Sequence, residues 1–260
     1  MVKEFASHNY WAVILGGSSG LGLATARKLA LHGMNICIIH RDPRIAMDAV
    51  NSAFEGIRAT GVQLITFNAD AGNSEKRNEV LEALKAQQVK VRCLVHSIAK
   101  GNLKSMTGDN TLEADDFNIT LDYMAISLYD WTQALYRQRI FTPDARVLSF
   151  TSEGSSKAWK NYAAVSAAKA ALEAISRSIA LEFAPAGIRA NCIQAGVTDT
   201  RSLQMIPGSE QLIEHTKKRN PFQRLTTPED VANVVYLLCK DEAAWINGAV
   251  IPVNGGEHIS

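Results

Sequence analysis

The 260-residue chain is 47% hydrophobic and 20% charged, an ordinary globular balance with enough apolar residues for a sizeable core. Its 27 basic and 26 acidic residues leave a formal charge of +1, which argues against a nucleic-acid surface or a polybasic membrane patch as the main partner. There is no basic N-terminal region followed by a long apolar one and no apolar run of bilayer length, so a cytoplasmic protein is expected.

Taken in order, "YWAVILGG" is an apolar run that stops at glycines, and "GLGLATARKLALHG" has helical spacing and ends on Gly33 as a C-terminal cap. "MNICIIHR" is the next strand, "DPRIAMDAVNSAFEGIRAT" a helix with Pro43 in its first turn, "VQLITFNAD" a strand and "NSEKRNEVLEALKAQQ" an amphipathic helix. "VRCLVHSIA" and "ARVLSFTS" are strands flanking a long helical region from about Leu112 to Arg139. Next comes "NYAAVSAAKAALEAISRSIALEFA", read as one long helix, then the strand "IRANCIQAG" and a loop with a short helix through residues 198–220. "TPEDVANVVYLLCK" is a helix that Thr227 caps, with Pro228 first and Asp230 answering the cap, and "GAVIPVNGG" is a last strand. The strands are continuous apolar runs alternating with helices. That pattern predicts an α/β fold: a single doubly wound, Rossmann-type domain over residues 1–260, with a parallel sheet of about seven strands covered on both faces. Cys37, Cys93, Cys192 and Cys239 sit in apolar runs without metal-ligand spacing and are read as buried free thiols in a reducing compartment, with no metal site expected.

Three stretches carry chemistry. The turn Gly16-Gly17-Ser18-Ser19-Gly20-Leu21-Gly22 lies between the first strand and the first helix, where glycines let a pyrophosphate approach the backbone and the helix N-terminus offers free N–H groups. The second strand ends in His40 and Arg41, where an acid would hold the ribose hydroxyls of NAD. Arg41, with Ser18 or Ser19, suits a 2′-phosphate, so NADPH is expected over NADH, with Asp42 as the residue that could bind ribose instead. Tyr162 and Lys169 are seven residues apart on the long helix, so both emerge on one face about 10 Å apart in rise. An ammonium there is expected to lower the phenol pKa and make Tyr162 a better proton donor.

The glycine turn, Asp70 after the third strand, His96-Ser97-Ile98-Ala99 after the fourth, Ser152 after the fifth, the Tyr162/Lys169 pair and "QAGVTDT" after the sixth occur in the order of the short-chain dehydrogenase/reductase family, which the chain resembles over nearly its full length. Most members carry Tyr-x-x-x-Lys, yet Val165 occupies the position four before Lys169. The longer spacing and the His-Ser-Ile-Ala stretch resemble the enoyl-acyl-carrier-protein reductase branch, and the Gly-x-x-x-Gly-x-Gly turn its NADPH-using type. A physical reason is available: hydride reaches the β-carbon of an enoyl thioester, three bonds from the oxygen that becomes an enolate, so its donor must stand farther off, by about one helical turn or ~4.5 Å.

The resemblance implies that Tyr162 donates to the enolate, that Lys169 holds the nicotinamide ribose and that Ser152 assists as an oxyanion donor. It also implies Asp70 and Ala71 at the adenine, Ser97 against the dinucleotide, and Gly196, Thr198 and Thr200 over the nicotinamide, with Asp70 alternatively a helix cap. Met124 stands where the family has a structural asparagine. A substrate lid is expected at about 198–221, with Leu203, Met205, Ile206 and Leu212 as an apolar wall. Lys217-Lys218-Arg219 beside it is either a solvated helix face or a dock for acyl carrier protein, and the last strand and the alanine-rich helix resemble surfaces used for homotetramers or dimers. The leading reading is an NADPH-dependent enoyl-thioester reductase of fatty-acid synthesis. Its rivals are a carbonyl reductase on a 3-oxoacyl thioester or small ketone, and a non-catalytic dinucleotide-binding sensor.

Overall fold

The computed structural model describes residues 3–205 and 208–260. Strand β1 (Tyr10–Leu15) enters the glycine turn, and α1 (Gly20–Leu31) leaves it and stops at Gly33, whose φ of +89° is the left-handed cap expected there. β2 (Asn35–His40), α2 (Met47–Arg58), β3 (Leu64–Asn68), α3 (Ser74–Ala86) and β4 (Lys90–His96) follow. The long helical region is α4 (Ala114–Leu121), a π-helical turn (Asp122–Ile126) and α5 (Ser127–Arg137). β5 (Phe141–Ser152), α6 (Ala163–Glu182), β6 (Ile188–Ala195), α7 (Arg201–Gln204), α8 (Ser209–Arg219), α9 (Pro228–Cys239) and β7 (Val250–Val253) complete the chain. Around the π turn Ser127 Oγ donates to the Tyr123 carbonyl, supplying the bond that the widened backbone does not.

All seven strands are parallel, in the order β3-β2-β1-β4-β5-β6-β7. The inner strands are apolar on both sides because each face is covered: every residue of β2 is buried, whereas the edge strands β3 and β7 are mostly half-buried. Val80 and Leu84 of α3, Trp131 of α5 and Leu172 of α6 pack on one face; Leu29 of α1, Phe54 of α2 and Val235 of α9 pack on the other. Thr227 and Asp230 form the expected reciprocal cap on α9, with Pro228 first. The four cysteines are free and buried. No helix among the described residues is long and apolar enough to cross a membrane.

The two ends of the sheet differ in chemistry. At the N-terminal ends of β4, β5 and β6, Arg92, Arg146 and Arg189 converge on Asp144, and Arg92 and Arg146 also donate to the carbonyls of Cys239 and Leu238 where α9 ends. At the C-terminal ends the strand order reverses between β1 and β4, and a crevice opens at that switch point.

Candidate active site

A cleft of about 810 Å³ runs along the C-terminal ends of the strands. At the switch point Gly16 has φ +84°, and a Cβ on it would stand 2.5 Å from the Ser97 carbonyl, so the glycine is what lets the β1 and β4 loops meet. Gly16, Ser18, Ser19, Gly20, Leu21 and Ser97 all line the cleft. The Ser19 side chain precedes α1 without capping it, which leaves the first N–H groups of the helix open to an anion. Gly22 does not line the cleft, contrary to expectation: it packs on the Gly16 carbonyl, where any Cβ would collide. Its absence of side chain serves the turn itself.

Beyond the turn, Arg41 donates to Asp70 across 2.7 Å, and Tyr123 Oη donates to the same carboxylate at 2.8 Å. Asp70 Oδ1 accepts from Gly72 N, and helix α3 is capped by Asn73, so Asp70 is not the cap of that helix. Burial works to raise the Asp70 carboxyl, but Gly72 N, Tyr123 and Arg41 outweigh it and hold it below the usual range. Asp42 takes a 2.8 Å contact from His40 and lines the cleft with Arg41, Asp70 and Ala71. Ala71 is held by Trp131 Nε1, which donates to its carbonyl.

Tyr162, Lys169 and Ser152 meet in the same cleft. Tyr162, however, is not on the helix: α6 begins at Ala163, and Tyr162 is its N-cap residue with φ −119° and ψ 4°, its carbonyl accepting from Ser166 N. Asn161 before it adopts φ +60°, so the helix starts two residues later than the sequence suggests. The expected effect of Lys169 on the phenol is also corrected. Burial pushes the Tyr162 phenol above its ordinary value, and the group opposing that shift is the Ser152 hydroxyl. Lys169 is 7% exposed and donates to the Phe150 carbonyl at 2.6 Å, and burial brings its ammonium down to about 8, with Cys192 and then Glu173 acting the other way.

Among the described residues, Ser152 Oγ, His96 Nδ1, Thr216 Oγ1 and Arg219 Nε are buried polar atoms at this end without a well-formed hydrogen bond. Since Ser127 donates to Tyr123 O, its oxygen accepts from His96 Nε2, which assigns the proton to Nε2 and leaves Nδ1 a bare acceptor. Burial first and Lys169 second push His96 down to about 3, so the imidazole is neutral. An open helix N-terminus at a glycine turn, a buried ammonium and a buried hydroxyl are a donor set that fits a dinucleotide and a polar substrate atom.

Gly196, Thr198 and Thr200 line the cleft opposite. A Cβ on Gly196 would collide with Thr226 Oγ1, Thr198 Oγ1 donates to the Gly196 carbonyl, and Thr200 caps α7. Leu203, Met205 and Leu212 line the expected apolar wall, and Ile206 lies outside the described residues. The segment holds two helices rather than one, parted at Gly208 with φ +80°. Trp159, Lys160, Lys100, Glu153 and Glu257 also line the cleft and escaped the sequence reading. Met124 is buried against Val165 and Ala168, with Leu103, Leu121 and Tyr162 around them, and brings no polar group to the helix.

A family model described as enoyl-(acyl carrier protein) reductase matches residues 16–258. The chain belongs to the short-chain dehydrogenase/reductase family. The NADH-type enoyl-[acyl-carrier-protein] reductase FabI of Enterococcus faecalis is 26% identical over 95% of this chain and 97% of its own. The dehydrogenase/reductase SDR family member 4 of Sus scrofa is also 26% identical, over 95% of this chain and 87% of its own. A crystal structure of a short-chain dehydrogenase from Burkholderia cenocepacia in complex with NADP superposes with a TM-score of 0.83 at 25% identity, covering 95% of this chain and 97% of that one. Within this family, whose members are nicotinamide-dependent oxidoreductases, the notable local feature is apolar. Val165, at the place of the common tyrosine, is 5% exposed and packed on Met124.

Proposed function

We propose that this chain reduces the double bond of a trans-2-enoyl thioester in fatty-acid synthesis, with NADPH as reductant. The observation that carries the reading is the phenol's position. Val165 closes the usual tyrosine site with an apolar cluster, and Tyr162 brings its phenol into the cleft with Ser152 and Lys169, whereas the hydroxyl of Tyr123, which also lines the cleft, is committed to Asp70. When bound, the dinucleotide supplies a hydride. Tyr162 donates to the thioester oxygen as it gains charge, and burial, which raises its pKa, keeps it protonated for that task. Ser152 Oγ, buried beside the phenol whose pKa it lowers, is placed to donate to the same oxygen. Ser18, Ser19 and the α1 N-terminus would hold the pyrophosphate, Asp70 the adenine side, and Lys169 the ribose.

The preference for NADPH rests on Arg41, whose half-exposed guanidinium lines the cleft and is anchored by Asp70. The apolar wall of Leu103, Leu203 and Leu212 suits an acyl chain, and exposed Lys217 and Lys218 suit an acidic carrier protein. Assembly into a homotetramer or dimer is supported by the exposed side chains Leu181 on α6 and Trp245 before β7.

Carbonyl reduction is the second reading, because the pig relative, not named as an enoyl reductase, matches at the same identity. The deciding assay is NADPH oxidation with crotonyl and, separately, acetoacetyl thioester, each repeated with Tyr162→Phe. Turnover of crotonyl, reduced by about 10²-fold or more in the variant, is expected. Turnover of acetoacetyl alone would replace the enoyl reading with the carbonyl one.

A further inference from the structure

Arg219 ends α8 and closes the basic run with Lys217 and Lys218. Those two lysines are exposed, but Arg219 turns inward, and one terminal nitrogen donates to both Glu153 Oε2 and Glu257 Oε1 at 2.8 Å each. Arg219 itself does not line the cleft; the two carboxylates it joins do.

They belong to opposite walls. Glu153 follows Ser152, and the next residue, Gly154, is the floor under the phenol: a Cβ there would stand 2.6 Å from Tyr162 Cε1, and Ser166 Oγ donates to the Gly154 carbonyl at 2.6 Å. Glu257, 3% exposed in the last turn of the chain, accepts from Val197 N at 3.4 Å, and a Cβ on Gly196 would stand 2.9 Å from its Oε2. The neighbouring Asn220 ties the same corner by donating to the Asn254 carbonyl at 2.9 Å. One guanidinium therefore bridges the Ser152–Tyr162 wall and the Gly196–Thr198 loop.

Two shielded carboxylates on one nitrogen repel each other, and an apolar contact would pack these segments with less desolvation. Burial alone would raise the Glu153 carboxyl, yet Arg219 and Lys157 together hold it below its usual range, so Glu153 is ionised at neutral pH. A hydrogen-bonded ion group costs desolvation but fixes direction as well as distance, which a hydrophobic contact does not.

We propose that Arg219 is a positioning residue: through Glu153 and Glu257 it sets the spacing between the phenol wall and the Gly196–Thr198 loop, and so makes the C-terminal turn part of the active site. This rests on the reading of the cleft as a dinucleotide-dependent reductase site, but not on which double bond is reduced. The test compares Arg219→Met, Arg219→Lys, Glu257→Gln and the double variant Arg219→Met/Glu257→Gln. It measures kcat on whichever thioester the unaltered protein turns over, and dinucleotide Kd by energy transfer from tryptophan. In Arg219→Met, kcat is expected to fall by about 10- to 100-fold, with Kd weakened several-fold. Arg219→Lys recovers part of the loss, and the double variant is no worse than the worse single one. Arg224→Met, which breaks the exposed pair with Asp230, leaves both parameters unchanged. Wild-type kcat and Kd in folded Arg219→Met would overturn the proposal. If Arg219→Met does not fold, Glu153→Gln decides: reduced kcat at an unchanged melting temperature supports it, and unchanged kcat overturns it. Because Kd needs no turnover, it reports on Arg219 even if neither thioester is a substrate.

Discussion

Arg41 and Asp70 hold each other across 2.7 Å, although the proposed function assigns them to two different parts of one nucleotide, the 2′-phosphate and the adenine. The pair prearranges Arg41 and spares it part of the rotamer entropy that binding costs a free arginine. It also means that neither residue can be altered alone. Asp70 would lose its cation and keep only Tyr123 and Gly72 N as donors.

Arg41→Ala is therefore expected to raise KM for NADPH about tenfold relative to KM for NADH, the equivalent of one charge-assisted hydrogen bond. Asp42→Ala should act in the other direction, on NADH, since Asp42 is the acid at this rim and is steadied by His40. Steady-state kinetics with both dinucleotides measure the ratio. An unchanged ratio in Arg41→Ala would remove Arg41 as the determinant of cofactor choice.

The pH dependence separates Lys169 from Tyr162. Lys169 is lowered to about 8, so it is charged below that pH and loses its charge above it, while the Tyr162 phenol is raised and stays protonated through the same range. With the dinucleotide as varied substrate, kcat/KM reports the free enzyme, and its alkaline limb should fall through about 8. Lys169→Arg keeps a cation above pH ~12 and should abolish that limb even at a lower overall rate. If the limb persists near 8 in Lys169→Arg, another group titrates there.

The fold was legible because its signals are local. The unbroken apolar run of β2 and the Thr227-Pro228-Asp230 cap each state their element within a few residues, and both are as expected. The start of α6 was not, because asparagine is favoured both as an N-cap and in the left-handed region; Asn161 takes the second option and leaves Tyr162 outside the helix. The packing of Gly22 on the Gly16 carbonyl could not be read in advance, because a glycine that touches a ligand and one that touches its own turn look alike in sequence. The bridge through Arg219 had no signal at all. Its partners are 66 and 38 residues away, and pairing over such distances is decided by where the strands and the last turn bring the chain.

The opposite end of the sheet should answer to stability and not to activity. Arg92 and Arg146 have side chains only 2% and 1% exposed, and Asp144 is the carboxylate they share with Arg189. If Asp144 is removed, the guanidiniums keep their bonds to the α9 carbonyls and Arg92 keeps its 2.7 Å pair with Asp241, but Arg146 loses its carboxylate where water cannot reach it. Asp144 itself is 37% exposed, so the loss should fall at the low end of the range for a broken buried pair. Asp144→Ala is expected to cost about 3 kcal/mol. That corresponds to roughly 6–12 °C in Tm for a domain of this size. Asp144→Asn, which keeps an acceptor but not the charge, should fall between the two. Urea unfolding measures the loss, and KM for dinucleotide and thioester should not move, because the cluster sits at the N-terminal strand ends and the cleft at the C-terminal ones. A stable Asp144→Ala protein would mean that the α9 carbonyls, with Asp241 on Arg92, suffice to hold the arginines, and Asp144 would then not be the centre of an ion network.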